Sequence, residues 1–167
     1  MKAWIAPVLW VVALTVGTVW LFGVSVPRDH TATVTDTIAA PLDSVWAVVT
    51  APSGFPSWRS GVSSVEVLPP EMGRPRWRES GSDGTLTLEA TAWSPPTRFV
   101  TRIADEGLPF GGTWVYELAP VGVGTRVTLT ENGQIYSPFY RFVAQFFLGY
   151  EATMRTYLDD LHRRFDG

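Results

Sequence analysis

The sequence predicts an α+β domain in which a curved antiparallel sheet of seven strands wraps on a long C-terminal helix, preceded by an apolar N-terminal helix. Three observations predict it. Residues 3–27 carry no charged side chain, and residues 31–135 fall into short alternating runs cut by Gly and Pro. From Phe139 onward the apolar period changes from two residues to about 3.6.

At about 1.5 Å per residue, the uncharged run exceeds the roughly 20 residues needed to cross a hydrocarbon core. Trp4 and Trp20 stand near its two ends, where indoles favour the headgroup level, and Pro7 falls in the first turns, where proline is tolerated. A cleaved signal peptide would have a shorter apolar core. Gly23-Val-Ser25 is formally a small-x-small site, but Val26-Pro27 sets a proline beside the bond to be cut. The run is therefore read as a single-pass transmembrane anchor, with residues 1–27 as anchor and 28–167 as one soluble domain. Lys2 precedes the helix, whereas Arg28 is offset by Asp29. That asymmetry predicts the N-terminus in the cytoplasm and the domain outside.

The domain carries 12 arginines against 16 acids and no basic run, so nothing in it would profit from releasing phosphate counterions. Nucleic acid is excluded as a partner. The chain has no cysteine, which removes disulfides and thiolate chemistry. His30 and His162 lie far apart, neither belongs to a His/Asp/Glu arrangement with metal-ligand spacing, and both are read as bystanders. No metal and no cofactor is expected, and protein partners stay unassigned.

Residues 31–38 (TATVTDTI) alternate and are rich in β-branched residues, giving the first strand. Pro41 opens a short amphipathic helix to residue 50, with Asp43 in its first turn and Leu42, Val45, Trp46 and Val49 at helical spacing. The broken segment 52–58 supplies one further helical turn. Six strands follow at 62–68, 74–81, 85–94, 98–105, 112–119 and 124–135, separated by Pro69-Pro70, Ser82-Asp83-Gly84, Pro95-Pro96, residues 107–112 and Gly122-Val-Gly124. The last of these is a hairpin turn and not a phosphate loop, because a strand follows it. Phe139, Val143, Phe146, Tyr150, Met154, Tyr157 and Leu161 then mark the apolar stripe of the closing helix, which Gly149 interrupts.

This order of elements resembles the SRPBCC/START-like, or helix-grip, superfamily, which includes START lipid-transfer domains, plant pathogenesis-related allergens and polyketide cyclase/dehydrase-like proteins. Four segments carry the resemblance: Ile38-Ala-Ala-Pro41 with Val45-Trp46, Phe55-Pro-Ser-Trp58, Gly124-Thr-Arg-Val-Thr-Leu-Thr130 and Tyr157-Leu-Asp-Asp-Leu161. It implies a cavity between sheet and long helix that holds a lipid, a polyketide or another hydrophobic molecule.

Strand parity puts Trp77 and Glu79 on one face and Arg76 and Arg78 on the other. If Trp77 faces the cavity, Glu79 goes with it. A carboxylate in an apolar pocket is a candidate general acid or base; the plainer reading returns Glu79 to water or pairs it with Arg102. Parity also groups Trp114, Tyr116 and Leu118 on an inward face. The candidate ligand-binding residues are Trp58, Trp77, Phe110, Trp114, Tyr116, Tyr136, Phe139, Val143, Phe146 and Tyr150, and core packing accounts for the same aromatics. Glu131 and Tyr136 are read as polar handles deep in or at the rim of the cavity, with solvent exposure the plainer reading of Glu131, and the loop bearing Leu108 and Phe110 as a lid or a membrane-touching tip.

Three functions are carried forward. The first is non-catalytic binding of a lipid or other hydrophobic small molecule beside the membrane. The second is a cyclase or dehydrase using Glu79, Tyr116 or Tyr136 for proton transfer. The third is a membrane-protein interaction module, with Ala6, Ala13 and Gly17 forming a small-residue face on the anchor.

Overall fold

Antiparallel hairpins dominate the architecture, as the run of short alternating segments requires. The computed structural model describes residues 5–82 and 84–166. Lys2, Trp4, Asp83 and the side chain of Ala6 lie outside the described residues. The elements are α1 (Ile5–Ser25), β1 (Asp29–Ile38), α2 (Leu42–Val49), a 3-10 segment (Pro52–Ser57), β2 (Val62–Glu71), β3 (Arg74–Gly81), β4 (Gly84–Ser94), β5 (Arg98–Ile103), β6 (Phe110–Val121), β7 (Gly124–Ile135), α3 (Pro138–Val143), a π-turn (Ala144–Leu148) and α4 (Ala152–Asp166).

Hairpins join β2 through β7 in succession, and β1 adds beside β7, giving the sheet order β1-β7-β6-β5-β4-β3-β2. Register shifts after Val62, Leu68 and Ala90 bend the sheet. Pro69 and Pro70 do not end β2 as expected. They sit in the irregular stretch between Leu68 and Glu71 of an edge strand, where a missing N–H leaves no ladder bond unmade.

The concave face carries Val34, Ile38, Trp77, Phe99, Tyr116, Leu118, Val127 and Leu129, all buried. Over it lies α4, whose Met154, Tyr157, Leu158 and Leu161 recur at i, i+3, i+4 and i+7 and are all buried. Val45 and Val49 of α2 and Phe55 of the 3-10 segment complete the same core. Thr125 donates its hydroxyl to the Ala40 carbonyl at 2.8 Å, tying the strand-to-helix junction to the start of β7.

The expected long stripe from Phe139 to Leu161 is divided. Gly149 has φ +72°, a left-handed conformation that glycine adopts without steric cost, and its N–H donates to the Ala144 carbonyl at 2.9 Å. Only α4 grips the sheet. Residues 138–148 turn away and lie against the end of α1: a Cβ at Gly23 would stand 2.0 Å from the Pro138 carbonyl oxygen, Phe22 and Phe146 meet edge-on at 6.5 Å, and Arg141 donates to the Val26 carbonyl at 3.0 Å. Helix α1 is long and apolar enough over Pro7–Ser25 to cross a membrane and is almost wholly exposed. Ala13 and Gly17, two of the small residues expected to form a packing face, are exposed, and the close approach is made at Gly23 instead.

Candidate functional site

Two of the carboxylates on the concave side of the sheet are buried or half-buried, and each is held by an indole. Glu79 is 7% exposed; its Oε1 accepts from Trp77 Nε1 at 2.8 Å and its Oε2 from Arg59 Nη1 at 2.8 Å. Parity places Glu79 inward, as expected. Its partner, however, is Arg59 from the irregular segment after the 3-10 turn, not Arg102. Arg102 lies on the convex face, where it and Arg74 pair with the buried Glu89 at 2.8 and 3.1 Å. Burial raises the Glu89 pKa, but the two guanidiniums outweigh it and hold the group below its ordinary value.

The Arg59–Glu79 pair lies in the wall of a cavity of about 400 Å³ between α4 and the β2–β4 side of the sheet, with Tyr157, Thr153, Thr156 and Leu86 also lining it. Arg59 spans the faces of Phe55 and Tyr157, 4.9 and 5.3 Å from the ring centres. The Tyr157 hydroxyl is buried without a hydrogen-bond partner among the described residues. Burial, then Tyr116 and the Glu79 carboxylate against the opposing charge of Arg59, holds the Tyr157 phenol well above its ordinary pKa, and burial also raises Tyr116. Both stay protonated at neutral pH, so the Tyr157 hydroxyl is an unused donor buried beside the cavity. Asp160 anchors the rim by accepting from the Ser60 amide at 2.8 Å and its hydroxyl at 3.0 Å.

Glu131 is the second carboxylate. It accepts from Trp114 Nε1 at 3.0 Å and lies 3.3 Å from His30 Nε2, and His30 stacks on Tyr150 at 4.0 Å. Solvent exposure is thus the wrong reading for Glu131, which is half-buried, and His30 is no bystander.

The ten aromatic and apolar candidates divide into four groups. Trp58, Trp114 and Tyr116 surround Tyr157 at 5.2 to 5.9 Å, and Trp77 joins them through Phe99. Tyr150 covers His30. Phe110 and Tyr136 border a different hollow, of about 610 Å³, edged by Asp29, Arg102, Asp105 and Gln134. There the Tyr136 hydroxyl donates to Gln134 Oε1 at 3.2 Å, and Arg28 lies 4.3 Å over the ring. Phe139, Val143 and Phe146 belong to the segment beside α1, away from α4, because the chain breaks at Gly149. Phe110 opens β6 opposite Ile135, and the Pro109 carbonyl accepts from the Tyr136 amide, so this loop is stapled to the end of β7.

The sequence profile described as "Polyketide cyclase / dehydrase and lipid transport" matches residues 29–166. The chain belongs to this family. No curated protein sequence matches it. Among solved structures, similarity to the Zhui aromatase/cyclase of a Streptomyces species gives a TM-score of 0.70 at 16% identity, over 83% of this chain and 94% of that one. A conserved protein from Geobacillus kaustophilus gives 0.69 at 16%, over 82% and 95%, and a START superfamily protein from Mycobacterium smegmatis 0.67 at 15%, over 82% and 97%. These likenesses establish the helix-grip fold. Within that family frame, sequence reasoning missed Arg59, His30 and Asp160 as parts of the concave site. All three act across distant segments, and only the position of Arg59 directly after the aromatic Trp58 hinted at a role.

Proposed function

We propose that this chain is a membrane-tethered helix-grip domain that binds, without transforming it, a hydrophobic molecule bearing one hydrogen-bond acceptor. The acceptor docks between Tyr157 and Arg59, and the apolar body lies along α4 and Leu86. The single observation that carries this reading is the buried, unpartnered Tyr157 hydroxyl at a cavity of about 400 Å³, within the range of small-molecule sites. A buried phenol with no partner costs about 1–3 kcal/mol until something accepts from it. A ligand carbonyl or carboxylate would recover that energy. Such a ligand, drawn from or delivered to the bilayer, fits a domain whose first strand begins at Asp29, four residues after α1 ends at Ser25.

The test compares the full chain with Tyr157→Phe after detergent extraction, by mass spectrometry of co-purifying small molecules and by titration with fluorescent fatty acids. The variant should fold at least as stably, because it loses only an unsatisfied group. It should bind about tenfold more weakly, the equivalent of one hydrogen bond of about 1.4 kcal/mol. Equal affinity in the two proteins would refute the docking mode.

A second reading, proton transfer by Glu79 in a cyclase- or dehydrase-type reaction, draws on its burial beside the cavity. Against it, both carboxylate oxygens already accept from fixed donors. Turnover of any bound ligand that is lost in Glu79→Gln while binding persists would favour this reading over the first.

A further inference from the structure

The segment 138–148 forms no part of the grip on the sheet, and its surface is unlike the rest of the domain. Its sequence, PFYRFVAQFFL, holds one charge in Arg141. Phe139, Tyr140, Phe146 and Phe147 are 53%, 50%, 56% and 73% exposed, a cluster of rings that water alone would not favour at one place. Through Gly23, Phe22 and Val26 the segment lies directly on the end of α1, where Leu21 and Val24 are themselves exposed. The apolar surface of α1 therefore runs on into these rings without a break.

We infer that residues 138–148 are a second membrane-seated element, lying in the headgroup-to-acyl boundary of the leaflet from which α1 emerges. This rests on the reading of α1 as an anchor. Three features commit the occupant of this surface to lipid. Continuity with α1 sets the rings at the depth of its last turns. Eleven residues, about 16 Å as a helix, are too few to cross and fit an element lying in the interface. The one charge is turned inward onto the Val26 carbonyl, where it satisfies an acceptor at the end of α1 and leaves an outer surface whose polar groups are neutral, Gln145 and the Tyr140 phenol. Arg28 over Tyr136 marks the water side, with a cation and a phenol at the level where such groups gather.

The absence of cysteine allows single-cysteine variants of the full chain, each labelled with an environment-sensitive fluorophore and reconstituted in phosphatidylcholine vesicles containing nitroxide-bearing lipids. Phe147→Cys and Phe139→Cys report on the segment, Leu14→Cys on the middle of α1, and Val123→Cys, 95% exposed in the β6–β7 turn, on water. The segment labels should be quenched severalfold more by nitroxides near the headgroups than by deep ones, Leu14→Cys most by deep ones, and Val123→Cys only by aqueous iodide. Segment labels that follow Val123→Cys while Leu14→Cys is quenched by lipid would overturn this inference and leave the anchor standing. A Leu14→Cys label that also follows Val123→Cys would overturn both.

Discussion

Glu79 and Arg59 are each worth more to the domain as a pair than either is alone. Their side chains are 9% and 18% exposed, so removing one leaves a charge in a poorly hydrated place. Glu79→Leu is expected to destabilise the protein by about 3 kcal/mol, and Arg59→Met/Glu79→Leu to recover most of that loss. Urea unfolding of the two variants and of the parent checks it; a double variant no better than the single one would refute the pair. On the convex face, Glu89 has a lowered pKa in the fold, so its stabilisation is present above the ordinary value of 4.5 and is lost as pH falls through the lower folded value. The unfolding midpoint of the parent should therefore fall below pH 4.5, and Glu89→Gln should show a shallower fall over the same interval. The inward direction of Glu79 was legible, because alternation fixes which face a strand residue takes. Its partner was not, because Arg59 lies in irregular chain where no period says which way a side chain points.

At the level of elements, each strand was legible to within a few residues, since Gly and Pro breakers bound every alternating run except β2, which continues through Pro69-Pro70. The closing helix was legible only in its second half. Apolar spacing of 3.6 residues continues smoothly through Gly149, and a glycine inside a helical pattern signals either a tolerated residue or a turn. What decides between them is a contact with α1 more than a hundred residues earlier in the chain. Gly149→Ala is expected to cost about 1–3 kcal/mol, because φ +72° with ψ 163° is a backbone region essentially confined to glycine, read as a lower thermal midpoint. Gly23→Leu acts at the same junction from the other side by driving a side chain into the Pro138 carbonyl. Electron-spin distance measurements between labels at Leu21→Cys and Phe147→Cys should then lengthen and broaden relative to the Gly23 parent, and an unchanged distribution would mean that the two elements are held together elsewhere.

For the whole molecule, the expected outcome is retention in the membrane fraction after alkaline carbonate washing. Leu14→Arg, at a cost of about 2.5–3.5 kcal/mol for a cation at mid-bilayer, should reduce that retention. A protein released equally with or without the arginine would not be anchored by α1. The sheet order also bears on how the molecule comes to exist. Strand β1 is the first strand to leave the ribosome but pairs only with β7 among the described residues, Asp29 meeting Gln134 at a sequence separation of 105. Until that partner is made, β1 waits beside α1 with its backbone groups unmatched, while β2 to β6 already have neighbours in sequence to zip against. Pairing of β1 is thus possible only once β7, the last strand of the chain, has been made. Residues 138–148, which lie on α1, follow β7 directly in the chain, so their contact with α1 also has to wait until the last strand has been made.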